Sequence, residues 1–391
     1  MRLIHTHSLE LWEFADNEVP EKYAILSHRW EKKEEEISFQ EMLHANDVTR
    51  HKIGYRKIES FCENARDDGF DFAWVDTCCI NKDSSAELSE AINSMFRWYQ
   101  QAKKCYAYLA DVHTIEQLSS SKWFERGWTL QEFLAPSKIH FFSDDWTMLG
   151  KKKTLIDTLV KITRIPHKVL SQPIYLNEVC IAKKMSRVSQ RKTTRPEDMA
   201  YCLMGIFNIN MPLLYGEGGV KSFLRLQEEI IKTSSDTTIF AWVDSNPSRH
   251  ADLYEPHGLL ATSVQHFAES HDIFQTSEFE EPYSMTNRGL RIELPIFNVS
   301  VDMRRYAVAK LFCSRKHEFE KVDIGVYLAR LDDKRFCRII VDRFSNLYGK
   351  ENSKSPQSPL TLFIPQRLSL DEQAKARLQA TTPKYYDPLQ N

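Results

Sequence analysis

Between residues 126 and 136 the chain reads RGWTLQEFLAP, a short segment that is aromatic and charged at once. Arg126 and Gly127 precede a helical pattern and Pro136 closes it. Trp128 and Glu132 are four residues apart, so on a helix they share a face. A carboxylate so placed can steady a developing positive charge, and a flat indole beside it can stack on a base or a nicotinamide. An acidic residue near a helix start is also stabilised by the helix dipole with no chemical duty, so position alone leaves reagent and solvated carboxylate both open.

The elements around this segment decide whether it faces a crevice. YAILS at 23–27, FAWVD at 72–76, KCYAYLAD at 104–111 and KIHFF at 138–142 read as buried strands. Between them lie helical patterns. One carries Ile58, Phe61, Cys62 and Ala65 and stops at Gly69; the next carries Leu88, Ala91, Ile92, Met95 and Tyr99 behind the capping run Asp83-Ser84-Ser85. WTLQEFLA is the third helix. Strand and helix alternating at this pace predict a mainly parallel sheet covered on both faces, with its binding crevice beyond the carboxyl ends of the strands. The first strand runs out into Ser27-His28-Arg29-Trp30, the second into Asp76-Thr77-Cys78-Cys79 and the third into Asp111, and these ends should converge.

Residues 151–245 turn mostly helical, in TLIDTLVKITRI, EDMAYCLMGIF and GVKSFLRLQEEIIKTS. From 246 to 391 alternating segments such as RGLRIELPIF, YAVAKLF, VDIGVYLARL and RFCRIIVD predict a β-rich domain. The division expected is therefore an α/β core at 1–150, a helical annex at 151–245 and a β-rich domain at 246–391. KENSKSPQSP at 350–359 reads as a loop. The helices and strands after 150 carry no reagent cluster, so this portion is expected to restrain the core rather than supply chemistry.

Composition narrows the function classes. With 391 residues, 42% hydrophobic and 27% charged, the chain can bury more than one core. A net charge of −2 provides no global attraction to nucleic acid or anionic membrane. The basic runs KKK at 151–153 and RVSQRKTTR at 187–195 read as solvated loops. Eight cysteines without a CxxC pair read as reduced thiols of a cytosolic protein, with Cys78 and Cys79 in the core. No apolar run approaches the roughly 18 residues of a membrane span. GxxxxGK[ST], GxGxxG, HExxH and GxSxG are all absent. GEGGVK at 216–221 reads as a helix-entry loop, HTH at 5–7 as surface histidines, and no metal site is expected.

The blocks YAILSHRW, AWVDTCCINKDSSAELSEAINSMFRWYQQA and RGWTLQEFLAP resemble the signature blocks of the fungal HET (heterokaryon incompatibility) domain over roughly residues 20–150. TTRPEDMAYCLMGIFNINMPLLYGEGGVKSFLRLQEEII resembles the segment that follows that core in large fungal members, and GLLATSVQHF through YSMTNRGLRIELPI the domain appended there. The resemblance implies a role in self/non-self recognition and programmed cell death, with a possible incompatibility partner protein. The core is further similar in element order to the TIR domain, through ELSEAI at 87–92 and WTLQE at 128–132, which implies a flavodoxin-like sheet. Glu132 then falls on the glutamate of NAD-cleaving TIR enzymes, while Thr129 replaces a cysteine and CCINKDSSA departs from the TIR loop.

What this second resemblance implies is an NAD hydrolase that needs no bound cofactor, with NAD or a related nucleotide as substrate and a homo-oligomer as the active form. Glu132 would be catalytic. Trp128 or Trp30 would stack on nicotinamide, Ser27 and Asp76 would bond the ribose or amide, and Arg29, in the loop with His28, would meet the pyrophosphate. Two rival readings remain: a non-enzymatic module that recruits partners through surface helices, and an enzyme acting on nucleic acid or cyclic nucleotides, the former of which substrates the net charge disfavours.

Overall fold

The protein is described here by a computed structural model that covers residues 1–15, 17–245, 254–276, 281–301, 304–317, 320–347 and 359–381. Residues 350–358 of the expected loop, and the boundary expected near 246, lie outside the described residues. The chain divides into two compact units, 1–177 with 191–215 and 178–190 with 216–391. The stretch 151–245, expected as one annex, is thus shared between them.

The first unit is built on a seven-stranded sheet of β1 (Arg2–His5), β2 (Leu11–Glu13), β3 (Ala24–His28), β4 (Phe72–Trp74), β5 (Lys104–Tyr108), β6 (Ile139–Phe142) and β7 (Met148–Lys151). Its order is β2-β1-β4-β3-β5-β6-β7, and the four central strands are parallel. The four strands read from sequence are these central ones. β1, β2 and β7 are additions, all antiparallel to their neighbours. From β3 the chain passes to β4 on one side and later to β5 on the other, so a topological switch point lies between β3 and β5.

Helix packing follows the apolar spacing. α1 (Phe39–Leu43) and α2 (Asp47–Arg50) are short, and α3 (Ile53–Asp67) buries Ile58, Phe61, Cys62 and Ala65 before Gly69 turns the chain at φ +83°. α4 (Ser85–Gln101) is capped by the Ser84 side chain, which accepts from the Glu87 N–H, and it buries Ala91, Ile92, Met95, Trp98 and Tyr99. α5 (Thr129–Leu134) is one and a half turns long and wholly buried.

That helix is anchored at its far end by a residue misread as a solvated charge. Lys152, in the KKK run, is buried and donates from Nζ to Phe133 O at 2.9 Å and Pro136 O at 3.4 Å. Burial pulls its pKa down to about 8. A cation here satisfies carbonyls that the helix end leaves without partners.

In the second unit, Gly218 caps a helix at Gly219–Ile231, as the helix-entry reading of GEGGVK requires. The C-terminal region is β-rich as expected: a three-stranded sheet formed by Ser284–Thr286, Gly289–Leu294 and Leu360–Ile364, and a six-stranded sheet centred on Arg304–His317 and Glu320–Arg330, both antiparallel. No helix of the described residues is long and apolar enough to cross a membrane.

Candidate active site

Beyond the carboxyl ends of the parallel strands lies a cavity of about 430 Å³, within the usual range for small-molecule sites. Trp30, Asp76, Trp128 and Glu132 all line it. Loops after two strands and the face of α5 therefore meet, as the strand order demands.

Glu132 forms part of the wall and is only 6% exposed. Its Oε2 accepts from the Ser27 hydroxyl at 2.5 Å, which ties α5 to the last turn of β3. Ser27 in turn accepts from the Trp123 indole N–H at 2.9 Å. Burial, reinforced by the charge of Asp76, raises the Glu132 pKa to about 8, while the Ser27 hydrogen bond, Arg126 and the Tyr99 hydroxyl pull the other way. Glu132 is thus a perturbed carboxyl on a cavity wall rather than a solvated helix charge.

The two tryptophans of the cavity are each held by a carboxylate. Trp30 donates from its indole nitrogen to Asp76 Oδ2 at 2.7 Å. Trp128 bonds Asp198, whose Oδ1 also accepts from the Tyr215 hydroxyl at 2.9 Å. Burial raises the Asp198 pKa, and both hydrogen bonds oppose it. Two cations lie over the Trp30 ring, Lys82 Nζ at 3.7 Å from its centroid and Arg126 Cζ at 5.1 Å.

Three expected contact residues do not reach the cavity. Ser27 is fully buried and acts through Glu132. His28 is 3% exposed, its Nε2 lying 3.9 Å from both Glu36 and Asp76, and burial with the nearby charges of Lys57, Arg126 and Lys82 holds it neutral. Alternation along the strand sends Ser27 and His28 to opposite faces, so neither follows the chain out into the crevice. Arg29 points to Asp111, 3.8 Å away, and is 41% exposed at its side chain. The cations on the cavity wall are instead Lys82, Arg126 and Arg195.

Sequence reasoning missed the contribution of 191–215. Thr194, Arg195, Asp198 and Tyr215 line the cavity, so residues beyond 150 do more than restrain the core. This segment lies against the start of α5: Lys192 N–H donates to Glu125 O at 2.7 Å and Gly127 N–H to Lys192 O at 2.8 Å. Arg191, read as part of a solvated basic loop, is buried and donates to Arg126 O at 2.8 Å and Thr129 Oγ1 at 3.1 Å. A bonding pattern of this kind leaves no periodic trace, and Asp198 in the first turn of a helix reads as ordinary capping.

Cys78 and Cys79 are core thiols, as expected. One group elsewhere, His113 with Asp144 and Asp145, has metal-ligand spacing, and all three are exposed.

Residues 23–114 match the family model described as heterokaryon incompatibility protein (HET). Over 222 residues the chain is 46% identical to the vegetative incompatibility protein HET-E-1 of Podospora anserina. That match takes in 54% of this chain and 16% of the relative, so the chain spans a small part of that protein's length. No solved structure matches.

Proposed function

We propose that this chain, a member of the heterokaryon incompatibility family through its residues 23–114, is an incompatibility and cell-death effector whose first unit cleaves NAD between nicotinamide and ribose. The observation that carries the reading is a buried carboxyl, Glu132, on the wall of a cavity that also holds two tryptophans and three cationic side chains. The central parallel strands and the position of α5 are also what a TIR-like core would have.

In this reading nicotinamide departs as a neutral base, so no acid is needed. The ribose C1′–N bond breaks with its electron pair going to nicotinamide, the oxocarbenium-like carbon left behind is stabilised by ionised Glu132, and the water that adds to it gives its proton to that carboxylate. The empty site holds Glu132 largely protonated at neutral pH, because its pKa is near 8. A cationic nicotinamide beside it favours the ionised form, so substrate binding releases a proton. Arg126, Lys82 and Arg195 take the pyrophosphate in place of Arg29, and Trp128 is the wall for the nicotinamide ring. The active form is a cytosolic homo-oligomer, answering to an incompatibility partner.

The test is incubation of purified protein with NAD at high protein concentration, with free nicotinamide as readout. Release that disappears in Glu132→Gln supports the reading. A folded parent that releases none at any concentration overturns it and leaves the non-enzymatic recruiting module.

A further inference from the structure

We infer that Trp123 and Ser27 form a positioning relay that fixes Oε2 of Glu132 at the cavity wall. The inference rests on the reading of Glu132 as the reagent of this site. It goes further, in assigning two residues that never touch the ligand.

An indole nitrogen can only donate, so the Trp123 N–H, 2.9 Å from Ser27 Oγ, must occupy a lone pair of that hydroxyl. The Ser27 proton is thereby aimed away from Trp123. Its acceptor is Glu132 Oε2, at 2.5 Å. All of this is sealed from water, with Ser27 and Trp123 at 0% exposure, so no solvent molecule competes for the proton. Tyr99 is not bound in the same way. Its single hydroxyl proton has another acceptor, Leu26 O at 2.8 Å, and can leave the carboxyl. Ser27 is the committed donor.

The relay is also fastened to the helix it serves. Thr129 Oγ1 has the Trp123 carbonyl at 2.5 Å and the Arg126 carbonyl at 2.9 Å as acceptors for its one proton, and Thr129 lies one turn before Glu132 on α5. One tryptophan therefore holds both the carboxyl's hydrogen-bond partner and the helix that bears the carboxyl. A hydroxyl that donates to the ionised carboxylate favours that form, so the relay brings Glu132 closer to the charge the reaction needs.

The experiment follows Glu132 itself and uses no NAD. In full-length protein carrying carboxyl-labelled glutamate, the Glu132 resonance is assigned by its loss in Glu132→Gln and titrated in the parent, Ser27→Ala and Trp123→Phe. Asp76, Tyr99, Cys105, Arg126 and Arg191 are the titratable and charged groups around the carboxyl, and they are the same in all three chains. Loss of a hydrogen bond to a charged group should raise the Glu132 pKa by about one to two units in Ser27→Ala. Trp123→Phe frees the Ser27 hydroxyl to rotate and should raise it by less.

Ser27→Cys, close in size and a weaker donor, should fall between parent and Ser27→Ala, and serves if Trp123→Phe does not fold. An unchanged Glu132 titration in folded Ser27→Ala overturns the relay. A shifted titration in a chain whose parent releases no nicotinamide upholds the relay and removes the NAD reading alone.

Discussion

Two arginines are buried among the described residues, one in each unit, and their settings differ. Arg338, on the strand Phe336–Arg338 of the second unit, donates to Phe240 O at 3.2 Å and Trp242 O at 2.5 Å and lies 3.9 Å from the Trp242 ring centroid. Burial alone pulls its pKa down to about 9. Arg191, in the first unit, also spends its donors on neutral oxygens, and burial pulls it down to about 10. There the ionised form of Glu132 pushes back. A buried cation is thus an ordinary packing device when its neighbours are carbonyls and an aromatic face. It belongs to a site when it is coupled to a second ionisable group on a cavity wall.

The largest effect expected from breaking this contrast is at Glu132. Glu132→Gln keeps size and one acceptor oxygen but removes the charge, so nicotinamide release should fall about 100- to 1,000-fold while the melting profile stays cooperative. A variant that releases nicotinamide at the parental rate ends the enzymatic assignment.

The pH dependence comes next. Since the free site holds Glu132 near pKa 8, kcat/KM for NAD should climb with pH and level off above about 8, tracking the ionised form. Stability should move the other way. The folded state keeps this proton to higher pH than the unfolded chain, so the associated stabilisation is complete below the ordinary carboxylate range and is lost as pH rises toward 8. Thermal melts from pH 5 to 8.5 should therefore show Glu132→Gln gaining on the parent as pH increases. A constant gap between the two curves would mean that Glu132 is not perturbed.

The arginines themselves sharpen the contrast. Arg191→Leu and Arg338→Leu should each cost about 2 to 4 kcal/mol in denaturant unfolding, since each leaves buried oxygens without donors. Only Arg191→Leu should raise the Glu132 pKa. Equal effects of the two on that titration would dissolve the distinction.

The smallest effect concerns the fit of the 191–215 segment against α5. A Cβ on Gly127 would lie 2.6 Å from Thr193 Cγ2, so Gly127→Ala should cost about 1 to 3 kcal/mol. Thr193→Ser removes that methyl and should restore much of the loss in the double variant. Additive losses would show that the clash is relieved elsewhere.

The four parallel strands and the helices α3, α4 and α5 were legible because each pairs a strong apolar pattern with a boundary signal, the Gly69 stop and the Ser84 cap among them. β1 was not, since four residues, RLIH, become a strand by pairing with β2 on one side and with β4 at Ile4 and Ala73 on the other. At the cavity, the alignment of Trp128 and Glu132 was legible from helical spacing alone, whereas Arg29 and His28 were named because they follow a strand end. Nothing in their order shows which way each side chain leaves the backbone. Trp123 lies in the core, and its bond to Ser27 depends on an indole edge that no periodicity encodes. Asp198 and Arg191 come from a segment more than 50 residues downstream of Glu132, and only tertiary structure brings them to it.

The chain enters the second unit at 178, leaves it at 191 to contribute to the first, and returns at 216. Neither unit is therefore a contiguous stretch of gene. A single recombination event between codons 178 and 215 would give each daughter reading frame a foreign half of at least one unit, pairing Glu132 with an unrelated Arg191 or Asp198. Exchange among related alleles would meet a barrier in this interval unless both parents carried compatible residues there. Variation would then be inherited for the two units as one linked block.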